Sequence, residues 1–458
     1  MGQKMEKGST FPLTVKRMGI DGEGVGFFKR KVVFVPGALP GEEVVCRAQK
    51  VSDKFITASL IKVRKSSSER ITPPCPVYDR CGGCQLQHLS YEGQLKEKRD
   101  IVVQAFERYA KKHLSRIDIR PALGMKDPWR YRNKSQMQAG VKNGHVIAGL
   151  YQQGSHKLLD IDTCIVQHPV TEEVTNKIKQ IAEDLSIPIY NPKKHQGALR
   201  TIVVRTGFET GETQLVLVTA TDELPKREIF VEEIQKRIPE LVSIVHNVQP
   251  KKSPIVFGDK TTVLAGKEKI TETLDGTAFD LSARAFFQLN PEQTKVLYDE
   301  AVKAAALTGK ENVVDAYCGT GTIGIRAAAN AREVRGMDIT REAVEDANEN
   351  AAANQLSHAR FYHGPAEKLL PEWMKEGWKP DVIIVDPPRT GLDASLLKLL
   401  LTAKVDRFVY VSCNPSTLAK NADELIRGGY TLDYAQPVDM FPQTAQTEVT
   451  ASFRYTGK

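Results

Sequence analysis

Short alternations of apolar and polar positions fill residues 10–63. They run through Thr14-Val15-Lys16, Gly24-Val25-Gly26-Phe27-Phe28, Lys31-Val32-Val33-Phe34-Val35, Glu43-Val44-Val45-Cys46 and Ala58-Ser59-Leu60-Ile61-Lys62-Val63. Glycine- and proline-rich turns such as Pro36-Gly37-Ala38-Leu39-Pro40-Gly41 separate the runs, and this rhythm predicts a small β-barrel. Lys65-Ser66-Ser67-Ser68-Glu69-Arg70 reads as a linker. Leu95, Ile101, Val102, Ala105 and Phe106 then recur at helical spacing, predicting a helix from Tyr91 to about Ala110. A longer reading carries it to residue 118 and packs it on the C-terminal domain. Residues 120–280 mix short strands (Thr201–Arg205, Gln214–Val218) with amphipathic helices such as 170–185, an α+β pattern. From about 281 strands and helices alternate, with strands at Asn312–Ala316, Glu333–Met337, Asp381–Val385 and Arg407–Val411. That alternation predicts a parallel, doubly wound sheet. The expected division is 1–65, 66–280 and 281–458.

Composition changes this picture only in part. With 41% hydrophobic and 26% charged residues, the chain suits a soluble globular protein rather than a disordered one. No apolar run reaches the ~20 residues of a membrane span, and no apolar stretch follows Met1-Gly2-Gln3-Lys4, so a cytoplasmic protein is expected. Residues 1–70 hold 14 Lys and Arg against 7 Asp and Glu, nearly the whole net charge of +8. A basic barrel in which Phe27, Phe28 and Phe34 lie among Lys29, Arg30 and Lys31 suits phosphates and stacked bases. Trp129-Arg130-Tyr131-Arg132-Asn133-Lys134-Ser135-Gln136 is a second cationic and aromatic segment; a solvated strand with ordinary surface charge explains it as well.

Candidate chemistry concentrates at three places. Seven cysteines, an odd number, argue for metal or catalytic roles over a disulfide framework. Cys75, Cys81 and Cys84 cluster tightly, with Cys164 about eighty residues on, a set able to hold iron–sulfur or zinc. Val313-Val314-Asp315-Ala316-Tyr317-Cys318-Gly319-Thr320-Gly321-Thr322-Ile323-Gly324 is a strand, a glycine loop and a helix start, and Asp338 ends the next strand, placed to grip a ribose hydroxyl. That loop alone fits a nicotinamide enzyme as well as one using S-adenosylmethionine (SAM). Its position deep in the chain, and Asp386-Pro387-Pro388-Arg389 closing a later strand, tip the balance to SAM. Finally, Ser412-Cys413-Asn414-Pro415 follows the apolar run Phe408–Val411, delivering a thiol at a strand's C-terminal end, where α/β enzymes hold their reacting groups.

The glycine-loop motif with its Cys, Asp-Pro-Pro-Arg and Ser-Cys-Asn-Pro, in this order, resemble the RNA uracil-5-methyltransferase family, whose core is a Rossmann-like SAM domain. Ala285-Phe286-Phe287-Gln288-Leu289-Asn290 matches the segment opening that domain. The resemblance implies cofactor contacts at Gln288, Tyr317, Asp338 and Asp386, beside the loop glycines Gly319 and Gly321. It implies Cys413 as a nucleophile of lowered pKa and Glu448 as general base; Glu448 is also the only acid between Asp439 and the C-terminus. Gln443 and Gln446 stand where family members often have His. The barrel resembles a TRAM domain, an OB-like fold. Cys75, Cys81, Cys84 and Cys164 resemble the 4Fe–4S ligands of the rRNA branch, which with the barrel implies a flipped-out loop uridine of 23S rRNA as substrate, because the tRNA branch typically lacks both. The tRNA enzyme and an inactive RNA-binding or ribosome-assembly protein are the alternatives; a monomer is expected. Amino-group and cytosine-5 methyltransferases would place an aromatic residue or a Cys where Arg389 stands.

Overall fold

The computed structural model describes residues 5–457. Its first part is a closed five-stranded barrel, in wall order Thr10–Met18, Gly24–Phe28, Lys31–Val35, Phe55–Lys65 and Glu43–Val51. The alternation seen in the sequence sets its two sides: Phe11, Leu13, Val15, Val33, Val35, Val44 and Ile56 fill the core, while Phe27 stays exposed. The segment expected to be a linker is pinned instead. Arg70 pairs with buried Glu42 (2.6 Å) and donates to the Gly37 carbonyl (2.7 Å), because that carboxylate needs a partner once desolvated.

A second body is a seven-stranded sheet ordered Lys260–Gly266, Leu241–Val248, Thr213–Thr219, Leu199–Thr206, Lys134–Lys142, His145–Tyr151 and Leu158–Asp160. Helices Pro169–Asp184 and Arg227–Arg237 cover one face through Val174, Ile178, Ile181, Phe230 and Ile234.

The third body is an eight-stranded sheet, in order Ala359–His363, Glu333–Asp338, Asn312–Ala316, Val382–Val385, Arg407–Ser412, Glu448–Tyr455, Tyr430–Val438 and Asp118–Ile119. Its five central and first-edge strands are parallel, as the strand–helix alternation predicts. The strand Val382–Val385 is buried throughout, with Ile383 and Val385 facing one core and Val382 and Ile384 the other, which is why it reads as an unbroken apolar run. Strand order reverses between Asn312–Ala316 and Val382–Val385, opening a crevice at their C-terminal ends.

The helix begun at Tyr91 ends at Tyr109 rather than reaching 118; after a single turn of 3-10 helix at Leu114–Arg116 the chain becomes extended and Asp118–Ile119 pairs with Tyr434 and Ala435. Val102 and Phe106 enter the core of the eight-stranded sheet, so residues 91–119 pack with the C-terminal body and not with the second. The hairpin Ile270–Leu274 and Thr277–Leu281 joins the same body through Ile270, Leu274 and Phe279.

The barrel meets the C-terminal body in a small apolar seam: Met18 and Leu39 of the barrel, Leu86 and Leu89 beyond the cysteines, Ile101 of the helix and Ala445 before the last strand. Among the described residues no helix is long and apolar enough to cross a membrane.

Candidate active site

The turn after Arg407–Ser412 explains its own sequence. The Asn414 amide N–H donates to Ser412 Oγ (3.2 Å), and the Asn414 side chain caps the helix Pro415–Arg427 by accepting from the Ser416 amide (3.0 Å). Pro415 opens that helix where an amide hydrogen is not required. Asn414 Nδ2 also donates to the Arg389 carbonyl (3.0 Å), tying the Asp-Pro-Pro-Arg segment to this turn. Ser412 pairs with Val449 in an antiparallel ladder, so the register sets Cys413 beside Glu448 where the two strands end.

Cys413 and Arg389 line a cavity of about 470 Å³ with Asn414, Pro415, Ala445, Gln446 and Thr447. Its other walls come from Ile20 and Asp21 of the barrel and Gln85 and Gln153 of the middle of the chain. A thiol at the bottom of a crevice shared by all three bodies is placed for a large ligand.

The electrostatics differ from the lowered thiol pKa expected. Burial pushes Cys413 up to about 11, helped by the charges of Glu448 and Asp386 and opposed by Arg389. Burial also raises Glu448 to about 8, with Asp386 adding to it and Arg389 subtracting. Partial burial likewise raises Asp386, to about 7. Desolvation and two neighbouring carboxylates outweigh one guanidinium and a helix N-terminus. Alkylation of Cys413 by iodoacetamide in the free protein should therefore climb with pH well beyond the ordinary thiol range. A rate that levels off near neutrality, followed by peptide mapping, would show the thiolate to be preformed.

A second cavity, about 430 Å³, lies on the other side of the Asp-Pro-Pro-Arg wall. Tyr317, Asp338, Ile339, Gly364, Pro365, Pro388, Thr390 and Leu392 are among its lining. Tyr317, Gly319 and Gly321 all take positive φ (65°, 53° and 80°), and of the three only Tyr317 lines that space. A Cβ on Gly321 would sit 2.9 Å from the Phe361 ring, which accounts for that glycine. Asp338 accepts from the Gly319 amide (3.1 Å) and the Thr340 amide (2.8 Å), fixing its carboxylate at the rim. Gln288 and Asp386 do not line this space; Gln288 is buried against the Tyr298 hydroxyl, which feels the Asp386 charge.

Asp315 was not singled out in the sequence. It is buried at the end of the first strand, accepts from the Gly324 amide (2.7 Å) and leaves Oδ1 without a partner. Burial, with Asp386 and Asp338 nearby, raises it to about 8. A site holding this much suppressed negative charge fits a cationic ligand such as the sulfonium and ammonium groups of SAM. Arg389, beside Cys413 in the first cavity, is a second residue that the sequence left without a role; its signal was only its position in the motif.

The four cysteines Cys75, Cys81, Cys84 and Cys164 line a third cavity of about 240 Å³, joined by Tyr78, Arg132, Lys134 and Gln136. Burial raises Cys84 to about 12 and Cys164 to about 11, with Arg132 pulling both down. Among the described residues no three His, Cys, Asp or Glu side chains close on a single-ion site. From the cationic–aromatic segment, Arg132 and Lys134 thus face the thiols, and Tyr131 is buried, donating to the Pro442 carbonyl (2.9 Å).

A sheet with this strand order, a glycine loop at its switch point and an acid closing the second strand define a SAM-dependent methyltransferase. Residues 90–453 match the family model described as tRNA (Uracil-5-)-methyltransferase, and residues 4–61 match the TRAM domain. The chain belongs to the RNA uracil-5-methyltransferase family and carries a TRAM domain at its N-terminus. It is 57% identical over 454 residues to an uncharacterized RNA methyltransferase of Halalkalibacterium halodurans, covering 99% of this chain and 98% of that one. An uncharacterized RNA methyltransferase of Listeria monocytogenes is 54% identical over 455 residues, 99% of each chain. Among solved structures, the Pyrococcus abyssi tRNA (uracil-54, C5)-methyltransferase in complex with S-adenosyl-L-homocysteine superposes with a TM-score of 0.77 at 28% identity. That match covers 97% of this chain and 100% of the other.

Proposed function

We propose that this protein, acting in the cytoplasm, methylates C5 of a flipped-out uridine in 23S rRNA through a covalent bond between Cys413 and C6 of the uracil. The observation that carries the reading is the register of the strands Arg407–Ser412 and Glu448–Tyr455, which sets Cys413, in the crevice wall, beside the buried carboxyl of Glu448. Uracil C5 is too poor a nucleophile to displace a methyl group unaided. Cys413 gives up its thiol proton to solvent, the thiolate sulfur adds to C6, the ring electrons move to O4, and C5 becomes nucleophilic. When bound, SAM supplies the electrophilic methyl group. Glu448 enters this step as the carboxylate, its own proton having passed to solvent; it takes the C5 proton, the C6–S bond breaks, and its electron pair leaves with sulfur as the C5–C6 double bond returns. Arg389, in the same cavity as Cys413, offsets the negative charge that gathers on sulfur. Tyr317, Asp338, Gly319 and Gly321 shape the cofactor cavity; Gln288 and Asp386 support its inner wall through Tyr298.

To the four thiols we assign a 4Fe–4S cluster: Cys75, Cys81, Cys84 and Cys164 line one cavity, and Arg132 beside them would offset thiolate charge. We assign it a structural role, since methyl transfer moves no electrons through the protein. Iron and acid-labile sulfide in anaerobically purified protein test this; zinc without sulfide would overturn it.

A tRNA substrate is the second reading, favoured by the Pyrococcus abyssi structure, which is that of a tRNA enzyme yet aligns with nearly the whole chain. Possession of the barrel therefore does not by itself select rRNA. Methylation of isolated 23S rRNA and of tRNA with labelled SAM decides between them; label in tRNA alone would overturn the rRNA assignment. An inactive assembly protein is disfavoured by intact Cys413 and Glu448.

Glu448→Gln should form the adduct on ordinary RNA but release it roughly 10²–10⁴-fold more slowly, visible as a denaturation-resistant protein–RNA band. The same variant carries a stability signature. Glu448 keeps its proton in the fold up to a pH of about 8, whereas the unfolded chain loses it near the ordinary value of about 4.3. Stability from this group is full below the unfolded value and falls as pH rises through the folded one. Glu448→Gln should thus melt above wild type, with a gap that widens across that window and then levels. A gap independent of pH would show that Glu448 is ionised in the free protein.

A further inference from the structure

The loop of residues 439–447 leads into Glu448 and lends Ala445, Gln446 and Thr447 to the crevice wall. It has no ladder partner of its own, so its shape is set by what grips it. At its centre Gln443 is buried in a left-handed conformation, φ 69°. Its carbonyl accepts from the amides of Gln85 (3.0 Å) and Leu86 (2.9 Å), the two residues directly after Cys84. Its amide donates to Gln94 Oε1 (3.0 Å), and its side-chain Oε1 accepts from Gln94 Nε2 (3.0 Å). Gln94 Nε2 reaches back to the carbonyls of Leu86 (3.2 Å) and Leu89 (2.9 Å), closing the ring. Beside this clasp Phe441 packs with Tyr131, Met125 and Val166 against Cys84 and Cys164.

We propose that Gln443, clasped by Gln94, is a positioning residue that makes the wall of the four-cysteine cavity and the loop carrying Glu448 a single mechanical unit. The thiol cavity then governs proton removal from the methylated adduct without touching substrate. A neutral, buried amide pair is suited to this coupling, because it fixes direction through four hydrogen bonds and adds no charge beside Cys413 and Glu448. Loosening the wall by a fraction of an ångström moves Glu448 relative to C5, and misplacement of about 1 Å is worth about 10²-fold in rate.

The inference rests on Glu448 as the base, and the experiments separate the two. In Gln443→Met the expected result is a kcat about 10- to 100-fold lower with KM for RNA near wild type. SAM binding and trapping on 5-fluorouridine RNA stay intact, since that trap needs no proton removal, while adduct on ordinary RNA accumulates. Wild-type kcat, or equal losses in trapping and SAM binding, overturns the proposal. Normal adduct release in Glu448→Gln would instead sink the base assignment. Hydrogen exchange in Cys81→Ala/Cys164→Ala gives a readout free of activity. Peptides spanning 84–89 and 439–447 should exchange faster together while strand Arg407–Ser412 keeps wild-type protection. Faster exchange confined to 84–89 would overturn the coupling.

Discussion

Cys413→Ala should abolish methyl transfer and leave no covalent product on 5-fluorouridine RNA. The sulfur is the only group in its cavity able to add to C6, and no other free cysteine lines that cavity. The alternative thiols are occupied elsewhere: Cys318 is buried behind the glycine loop with its pKa far above the ordinary value, and Cys46 fills the barrel core. Because Cys413 is only half-buried, its loss should change stability by less than about 1 kcal/mol. SAM binding, measured by calorimetry, should survive. Residual trapping in this variant would sink the nucleophile assignment, whereas loss of SAM binding would point to a collapsed site.

Lys98→Met should lower stability by about 3–5 kcal/mol, the usual result of stranding one member of a buried ion pair. Lys98 and Asp439 are paired with no exposure of either side chain. Asp439 also accepts from the Tyr91 hydroxyl (2.9 Å), and Lys98 Nζ donates to the Phe441 carbonyl (3.1 Å). Removing the ammonium leaves a carboxylate in an apolar interior with one neutral donor. Burial already pulls the Lys98 ammonium down against the attraction of Asp439, so this pair offers little net gain and a large penalty when halved. Calorimetry on the full chain measures the effect. Lys98→Met/Asp439→Leu should recover much of the loss, since no charge is stranded; a double variant as unstable as the single would argue for a role beyond charge compensation.

The parts of this fold that were legible in sequence owe their shape to local pattern. Barrel strands alternate because one face is wet, and Val382–Val385 is uniformly apolar because neither face is. The glycine loop and the Ser-Cys-Asn-Pro turn are equally local: each residue acts within a few positions of itself. What escaped were the contacts between distant segments. Nothing around Asp118 and Ile119 announces that they complete a sheet begun at Asn312, since pairing of two residues carries no periodicity. Gln94 and Gln443 look like ordinary polar positions until each is found to be the other's partner. The thiol's raised pKa was missed for the same reason: it comes first from burial by distant segments, then from Glu448 and Asp386, which meet Cys413 only through the sheet.

The docking of residues 91–119 on the C-terminal sheet also dictates a sequence of events at the ribosome. Val102 and Phe106 emerge early, yet the core they enter includes Leu425, Tyr430 and Phe453, near the end of the chain. At about 5–20 residues per second, translation leaves that helix without its partners for tens of seconds. The seven-stranded sheet between them draws on its own core and is free to form meanwhile. Until the final strand arrives, the apolar face of that helix has no native core to enter, so the N-terminal helix and the C-terminal sheet complete each other only after synthesis ends.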